Sequence, residues 1–214
     1  MALVTESYAS RKALLPASGQ HIIAQFDEQS VIVYQAYKPE IASHAIDYQQ
    51  FAGAPDFNLH RMTWIKPGFL WMMHRSGWAT KPDQERILAV RLDRVGFDAI
   101  LRKAVHSTFQ PQLYEHEATW KAALGSSAVR LQWDPDYSPA DGRLERRAIQ
   151  IGLGGKTAKH YANGGWIIDI EDITDFVIQQ RQYTKSPYTD LLLPIERVYP
   201  VFSAQIAEHL GVTL

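Results

Sequence analysis

Two stretches near the start of the chain carry the β-branched and aromatic residues of strands: HIIAQF (21–26) and SVIVYQAY (30–37). Asp27, Glu28 and Gln29 separate them as turn residues, which predicts a hairpin. The period then changes. In EIASHAIDYQQF (40–51), Ile41, Ala45 and Tyr48 recur at helical spacing behind Pro39, and Gly53 to Pro55 closes the element. FLWMM (69–73) reads as the buried face of a short helix, because Pro67 suits a first turn and Gly77 an end. RILAVRLDR (86–94) returns to alternation, with Ile87, Ala89 and Arg91 on one face and Leu88, Val90 and Leu92 on the other. GFDAILRKAVHS (96–107) is read as the helix after it.

In the second half, YEHEATWKAAL (114–124) is read as helical. AVRLQWDPDY (128–137) and ERRAIQIGL (145–153) form a second predicted hairpin across a loop rich in Pro, Asp and Gly. In WIIDIEDITDFVIQQ (166–180), Asp172 or Thr174 is placed to cap a helix containing Phe176 and Val177. A tail with Pro187, Pro194 and Pro200 ends in a helix, VFSAQIAEHL (201–210). No internal repeat and no linker interrupts this order. It predicts one α+β domain over residues 1–214, with a mostly antiparallel sheet, whole or split, and helices inserted between strands. Each short hairpin needs a partner surface. The β-runs at 21–37 and 128–153 are therefore expected in one sheet system, with the helix from Pro67 to Arg75 packed on it.

Composition adds limits. Hydrophobic residues are 46% of the chain and charged residues 21%, which is the balance of a folded protein and not of a disordered one. The chain has no cysteine, which excludes disulfides, thiolate chemistry and cysteine-held zinc or iron–sulfur groups. No apolar run approaches the roughly 18 residues of a membrane span, and MALVTESYASRK lacks the order of a secretory signal. The reading is a cytoplasmic protein with no membrane partner. A net charge of −1 hides a segregation: residues 61–103 hold nine Lys or Arg against four Asp or Glu, and residues 164–214 hold three against seven. The basic middle suits a phosphate-bearing small molecule or single-stranded nucleic acid better than duplex nucleic acid at large.

That basic middle contains RMTWIKPGFLWMMHRSGWATKPDQE (61–85), which sets three tryptophans among Arg61, Lys66, Arg75 and Lys81. Trp64 and Trp78 lie outside the predicted helix, where their flat faces suit stacking on a base or nicotinamide ring; the four cations suit phosphate. Lys66 stands just before Pro67, so its ammonium would join a helix N-terminus in holding an anion. Glu85 follows the same segment and is the candidate general base. Polar residues embedded in strands complete the set: Gln35, Gln132, Asp134, Arg147 and Gln150 all need partners and could line one cleft. Glu145 is a further carboxylate. Other chemistries fit less well. IGLGGKT (151–157) has Gln150 where a phosphate loop needs glycine, and the eight histidines include no HExxH or His-x-His pattern, so no metal is supported. No G-x-S-x-G elbow is present for a serine nucleophile.

VYQAY, RMTWIKPGFLWMMHRSGW, QERILAVRLDR, VRLQWDP and RRAIQIGL together resemble the family catalogued as domain of unknown function 4291, over about residues 20–185, with 186–214 as the proline-containing tail and helix. More loosely, the strand ending in Tyr34 and Gln35, followed by KPEIASHAI, resembles the opening of ADP-ribosyltransferase-like folds, where a strand ending in tyrosine and histidine leads into a helix. That second resemblance implies NAD or another nucleotide as ligand, with Tyr34 and Gln35 at its ribose or amide, Thr63 to Lys66 on a second strand, and Glu85 or Glu145 as the glutamate. Gln35 departs from the histidine. The expectation is a nucleotide- or NAD-binding transferase acting on a nucleic acid or small molecule. Its competitors are a non-catalytic binder of RNA or single strands, for which the cations and aromatics suffice, and a structural or interaction protein whose tryptophans are core.

Overall fold

The computed structural model describes residues 3–201 and 203–213. Strand β1 (Thr5–Ser7) runs into helix α1 (Tyr8–Leu14), whose end is capped by the Ser7 hydroxyl accepting the Ser10 N–H. Short strands β2 (Gly19–Gln20) and β3 (Ile23–Ala24) lead to β4 (Ser30–Tyr37) and α2 (Pro39–Tyr48), which stops where Gln49 turns left-handed at φ 53°. Then come β5 (Thr63–Ile65), α3 (Phe69–Ser76), β6 (Arg86–Asp93) and α4 (Arg94–Arg102). As expected, Gly77 ends α3, at φ 59°. The second half holds β7 (Ala104–His106), α5 (Glu117–Ser126), β8 (Val129–Tyr137), β9 (Arg143–Leu153), α6 (Gly155–Ala162), β10 (Ile167–Asp172) and α7 (Thr174–Arg181). Strands β11 (Leu192–Pro194) and β12 (Arg197–Val198) and helix α8 (Ala204–Leu210) complete it. The chain is α+β, and its sheets are mostly antiparallel.

Two local readings change. The predicted helix over 96–107 ends at Arg102; Ala104–His106 is instead a strand lying parallel to β8, with Ala104 opposite Val129. The β-branched Val105 suits that edge, and the partner that decides the matter is more than 20 residues away. The first hairpin survives only at its tip, where Phe26 bridges Val31 and Asp27 takes the N–H groups of Gln29 and Ser30. Beyond the tip β3 leaves β4 and pairs with β12, a partner from the tail. The second hairpin stands as read, with Val129 opposite Leu153 and Gln132 opposite Gln150. In the last predicted helix, Phe202 lies outside the described residues, and helical structure begins at Ala204.

One sheet has the order β10-β6-β4, all antiparallel. Its pleat sorts side chains to two cores. Val31, Val33, Leu88, Val90 and Leu92 face a larger core under α2, α4 and α6, while Ile32, Tyr34, Ile87 and Ala89 face a smaller one under α3 and α7. This is the division that alternation in 86–94 predicts. A second, five-stranded sheet has the order β2-β9-β8-β7, with β5 also paired to β9, and β1-β11 and β12-β3 form two-stranded sheets besides these. The two larger sheets meet at a single bridge, where the backbones of Tyr34 and Lys66 exchange both hydrogen bonds, at 2.7 and 3.2 Å. Of the expected sheet system, β4 and the 128–153 hairpin lie in two sheets joined at this seam, with α3 packed against both β4 and β8, while β3 lies in a separate two-stranded sheet with β12. No helix among the described residues is long and apolar enough to cross a membrane.

Candidate functional site

Past the Tyr34–Lys66 bridge, β5 pairs with β9 and no longer with β4, so the two strands part. A cavity of about 200 Å³ occupies the opening, lined by Gln35 and Tyr37 of β4, Thr63, Trp64 and Lys66 of the β5 segment, and Arg75 of α3. Gln35 ties its two walls together. Its amide nitrogen donates to Tyr37 Oη and Thr63 Oγ1, each at 2.8 Å, and its carbonyl accepts from Tyr161 Oη at 2.5 Å. Every polar atom of the Gln35 side chain is thus engaged by the protein, and it is buried. Trp64 is half-buried and stands opposite Gly152 in the ladder. A Cβ on Gly152 would lie 2.4 Å from Met62 Sδ and 3.1 Å from Trp64 Cη2, so the missing side chain is what lets both lie across the strand.

Lys66 is the unusual group. It is buried, and its ammonium has one long contact, 3.4 Å to the Trp64 carbonyl, with no salt bridge to a described carboxylate. Burial, helped by the positive charge of Arg75 and opposed by Asp134, pushes its pKa down from 10.5 to about 7. Arg75 is exposed at the cavity and has no hydrogen bond or ion pair among the described residues. Asp134 is held by two amides: Gln132 Nε2 donates to one carboxylate oxygen at 2.8 Å and Gln150 Nε2 to the other at 2.7 Å. The strand period explains this trio, since Gln132 and Asp134 are two apart on β8 and Gln150 sits opposite Gln132 on β9. Helix α3 packs against the strand that carries Gln132 and Asp134.

The other sequence candidates lie apart from this group. Tyr34 is fully buried in the smaller core, edge-on to Phe69 at 5.4 Å, because neighbouring strand residues point to opposite faces and Gln35 takes the cavity side. Trp78 packs edge-on to Phe69 at 5.8 Å, and its carbonyl accepts from Arg181. Lys81 Nζ donates to the His74 carbonyl at the C-terminal end of α3, where a cation is favoured. Arg61 is exposed on the approach to β5, and Arg147 donates to the Trp133 carbonyl at 3.1 Å. Glu85 accepts the Asp83 N–H at 3.0 Å; its other oxygen is buried without a described partner, and its neighbour Gln84 lines the cavity in its place.

Sequence reading missed Glu196. This fully buried carboxylate accepts the Phe69 N–H at 2.7 Å and pairs with buried Arg11. The N-terminus of α3, expected to share an anion with Lys66, is therefore already occupied by a carboxylate of the protein itself. Nothing in the local pattern of IERVYP points to a cap more than 120 residues away. Tyr37 and Tyr161 were missed as well, whereas Thr63, named with Lys66 on the second strand, does line the cavity.

A second cavity, of about 430 Å³, lies at the far end of α3 beside Trp78, Lys81 and the His74–Asp141 pair. It is larger, but Lys81 and His74 are committed to protein partners there. Lys185 also lines it, whereas the smaller cavity brings two cations, Lys66 and Arg75, close enough for the charge of one to act on the other. Among the described residues no cluster of three or more histidine or carboxylate side chains is arranged to hold a metal.

No curated protein matches the chain. Residues 21–199 match the family described as a domain of unknown function, DUF4291, a span that takes in the seam, α3, the Asp134 hairpin and the Glu196 cap. The chain belongs to that family.

Proposed function

We propose that the seam cavity binds the phosphate of a nucleotide or NAD-like ligand through Lys66 and Arg75, and that the protein is a transferase acting on that ligand. The observation that carries this reading is the pair of cations at one opening: a buried ammonium without a carboxylate partner and a guanidinium without any described partner. Two like charges placed together raise each other's energy, and an anion between them relieves both. Trp64 offers a half-buried ring at the rim for the base or nicotinamide. Gln35 shapes the seam, since its own hydrogen bonds are spent within the protein. Asp134, held by two glutamine amides, takes the place of Glu85 in this reading, because its charge acts on Lys66.

Calorimetric titration with AMP, NAD and inorganic phosphate at low salt tests the reading. Hydrogen bonds to charged groups contribute about 1.5–3 kcal/mol each, so Lys66→Ala and Arg75→Gln should each weaken binding roughly 10- to 100-fold. Absence of binding by all three ligands, or binding by both variants as tight as by the unchanged protein, would remove the site. Tighter binding of short single-stranded RNA than of any mononucleotide would favour a nucleic-acid partner instead.

A further inference from the structure

Resting on the phosphate-binding reading above, we infer that Lys66 acts as a nucleophile, and that the cavity takes an aldehyde or ketone bearing a phosphate, such as the open-chain form of a pentose 5-phosphate. The geometry supports each part. Lys66 is among the residues lining the cavity, and its Nζ has one long contact, to the Trp64 carbonyl, so no described carboxylate ties up the amine. Arg75 on α3 lines the same cavity and is free to grip the phosphate. The volume, about 200 Å³, is below the roughly 300–1,000 Å³ of cavities that enclose drug-sized ligands. It suits a pentose 5-phosphate that carries no base, whose first carbon is free to open to the aldehyde.

A lysine acts as a nucleophile only when neutral, and the usual device is a desolvated pocket or a neighbouring cation. Lys66 has both: burial first, then Arg75, hold its pKa near 7. Roughly half of the amine is then unprotonated near neutral pH. The neutral nitrogen attacks the carbonyl carbon, a C–N bond forms, and the π electrons move to the oxygen, which takes a proton. The carbinolamine loses a proton from nitrogen and its hydroxyl group as water, leaving a C=N bond. The exchange is aldehyde plus amine for imine plus water, with no oxidant or reductant. Asp134, fixed by Gln132 and Gln150, is the carboxylate whose charge reaches Lys66 and would stabilise the iminium form.

The test is reductive trapping. The protein is incubated with ribose 5-phosphate and cyanoborohydride, and labelled lysines are mapped by peptide mass spectrometry, with ribose as the control lacking phosphate. Lys66 should label at least about 10-fold faster than exposed lysines such as Lys12 and Lys121, and Arg75→Gln should bring the rate down to that with ribose. With formaldehyde, which carries no phosphate, the pH midpoint of Lys66 labelling should rise in Arg75→Gln and fall in Asp134→Asn. Lys66→Arg should keep ribose 5-phosphate affinity within about 10-fold while losing the adduct. Adducts confined to exposed lysines, with ribose 5-phosphate still binding by calorimetry, would leave Lys66 a phosphate ligand and overturn the inference alone. No binding of ribose 5-phosphate or phosphate would overturn the phosphate site and the inference with it.

Discussion

The Glu196 carboxylate meets the backbone N–H of Phe69 at 2.7 Å, so a residue of the C-terminal segment closes the first turn of the helix that carries Arg75. The same carboxylate pairs with Arg11 of α1. Three distant parts of the chain are thus held at one buried point, and α3 takes its position over the seam from them.

This predicts strong coupling between Arg11 and Glu196. Removing either partner leaves a buried charge unpaired, so Arg11→Met or Glu196→Gln should each destabilise the fold by about 3–5 kcal/mol. The double variant should lose clearly less than the sum. Urea unfolding of the four proteins gives the coupling energy, and simple additivity would mean that the pair does not act as a unit.

Lys66 should weaken the fold it sits in. In the folded chain its amine titrates at about 7, while in the unfolded chain it returns to about 10.5. Between those values the unfolded chain binds more protons, so stability rises with pH across that window and the full penalty applies at and below about pH 7. Lys66→Met should therefore stabilise the protein near neutral pH, by at most about 4 kcal/mol, with the gain shrinking as pH climbs toward 10. Denaturant midpoints measured from pH 6 to pH 10 check the trend; a constant difference across that range would contradict it.

Anion binding should carry a proton with it. A bound phosphate favours the ammonium form of Lys66, so above about pH 7 binding should take up as much as one proton, and at pH 6 almost none. Calorimetry of AMP in buffers of different ionisation enthalpy reads this directly. Lys66→Met should abolish the uptake, whereas Glu85→Gln, outside the cavity lining, should leave it unchanged.

His106 sets an acid limit. Its imidazole is buried, with Nε2 3.3 Å from the Leu210 carbonyl, and burial together with His209 pushes its pKa down to about 4. Against an unfolded value of 6.5, the unfolded chain binds the extra proton between these values, so stability is lost as pH falls from about 6.5 to about 4. The loss from this group is at most about 3 kcal/mol. His106→Gln should flatten that part of the stability profile, and an unchanged slope would assign the acid sensitivity to other groups.

Much of this protein was legible in its residues. Alternation in 86–94 separated the faces that the two cores later claim, Gly77 marked the end of α3, and the two-residue spacing of Gln132 and Asp134 put both on one strand face. These are properties of local backbone geometry, with a period of two in strands and a left-handed residue at a helix end, so the chain alone determines them. The tertiary structure decided the rest. Ala104–His106 became a strand because β8 was there to pair with it, β3 found β12 and not β4, and Glu196 reached Phe69 across more than 120 residues. It also decided the chemistry: the pleat turned Tyr34 into a core and Gln35 toward the cavity, and of the four cations between 61 and 81 only Lys66 and Arg75 came to share an opening. The energy of a long-range pairing depends on a partner that no local window contains, and the pKa of Lys66 depends on how much water and which charges the whole fold leaves around it.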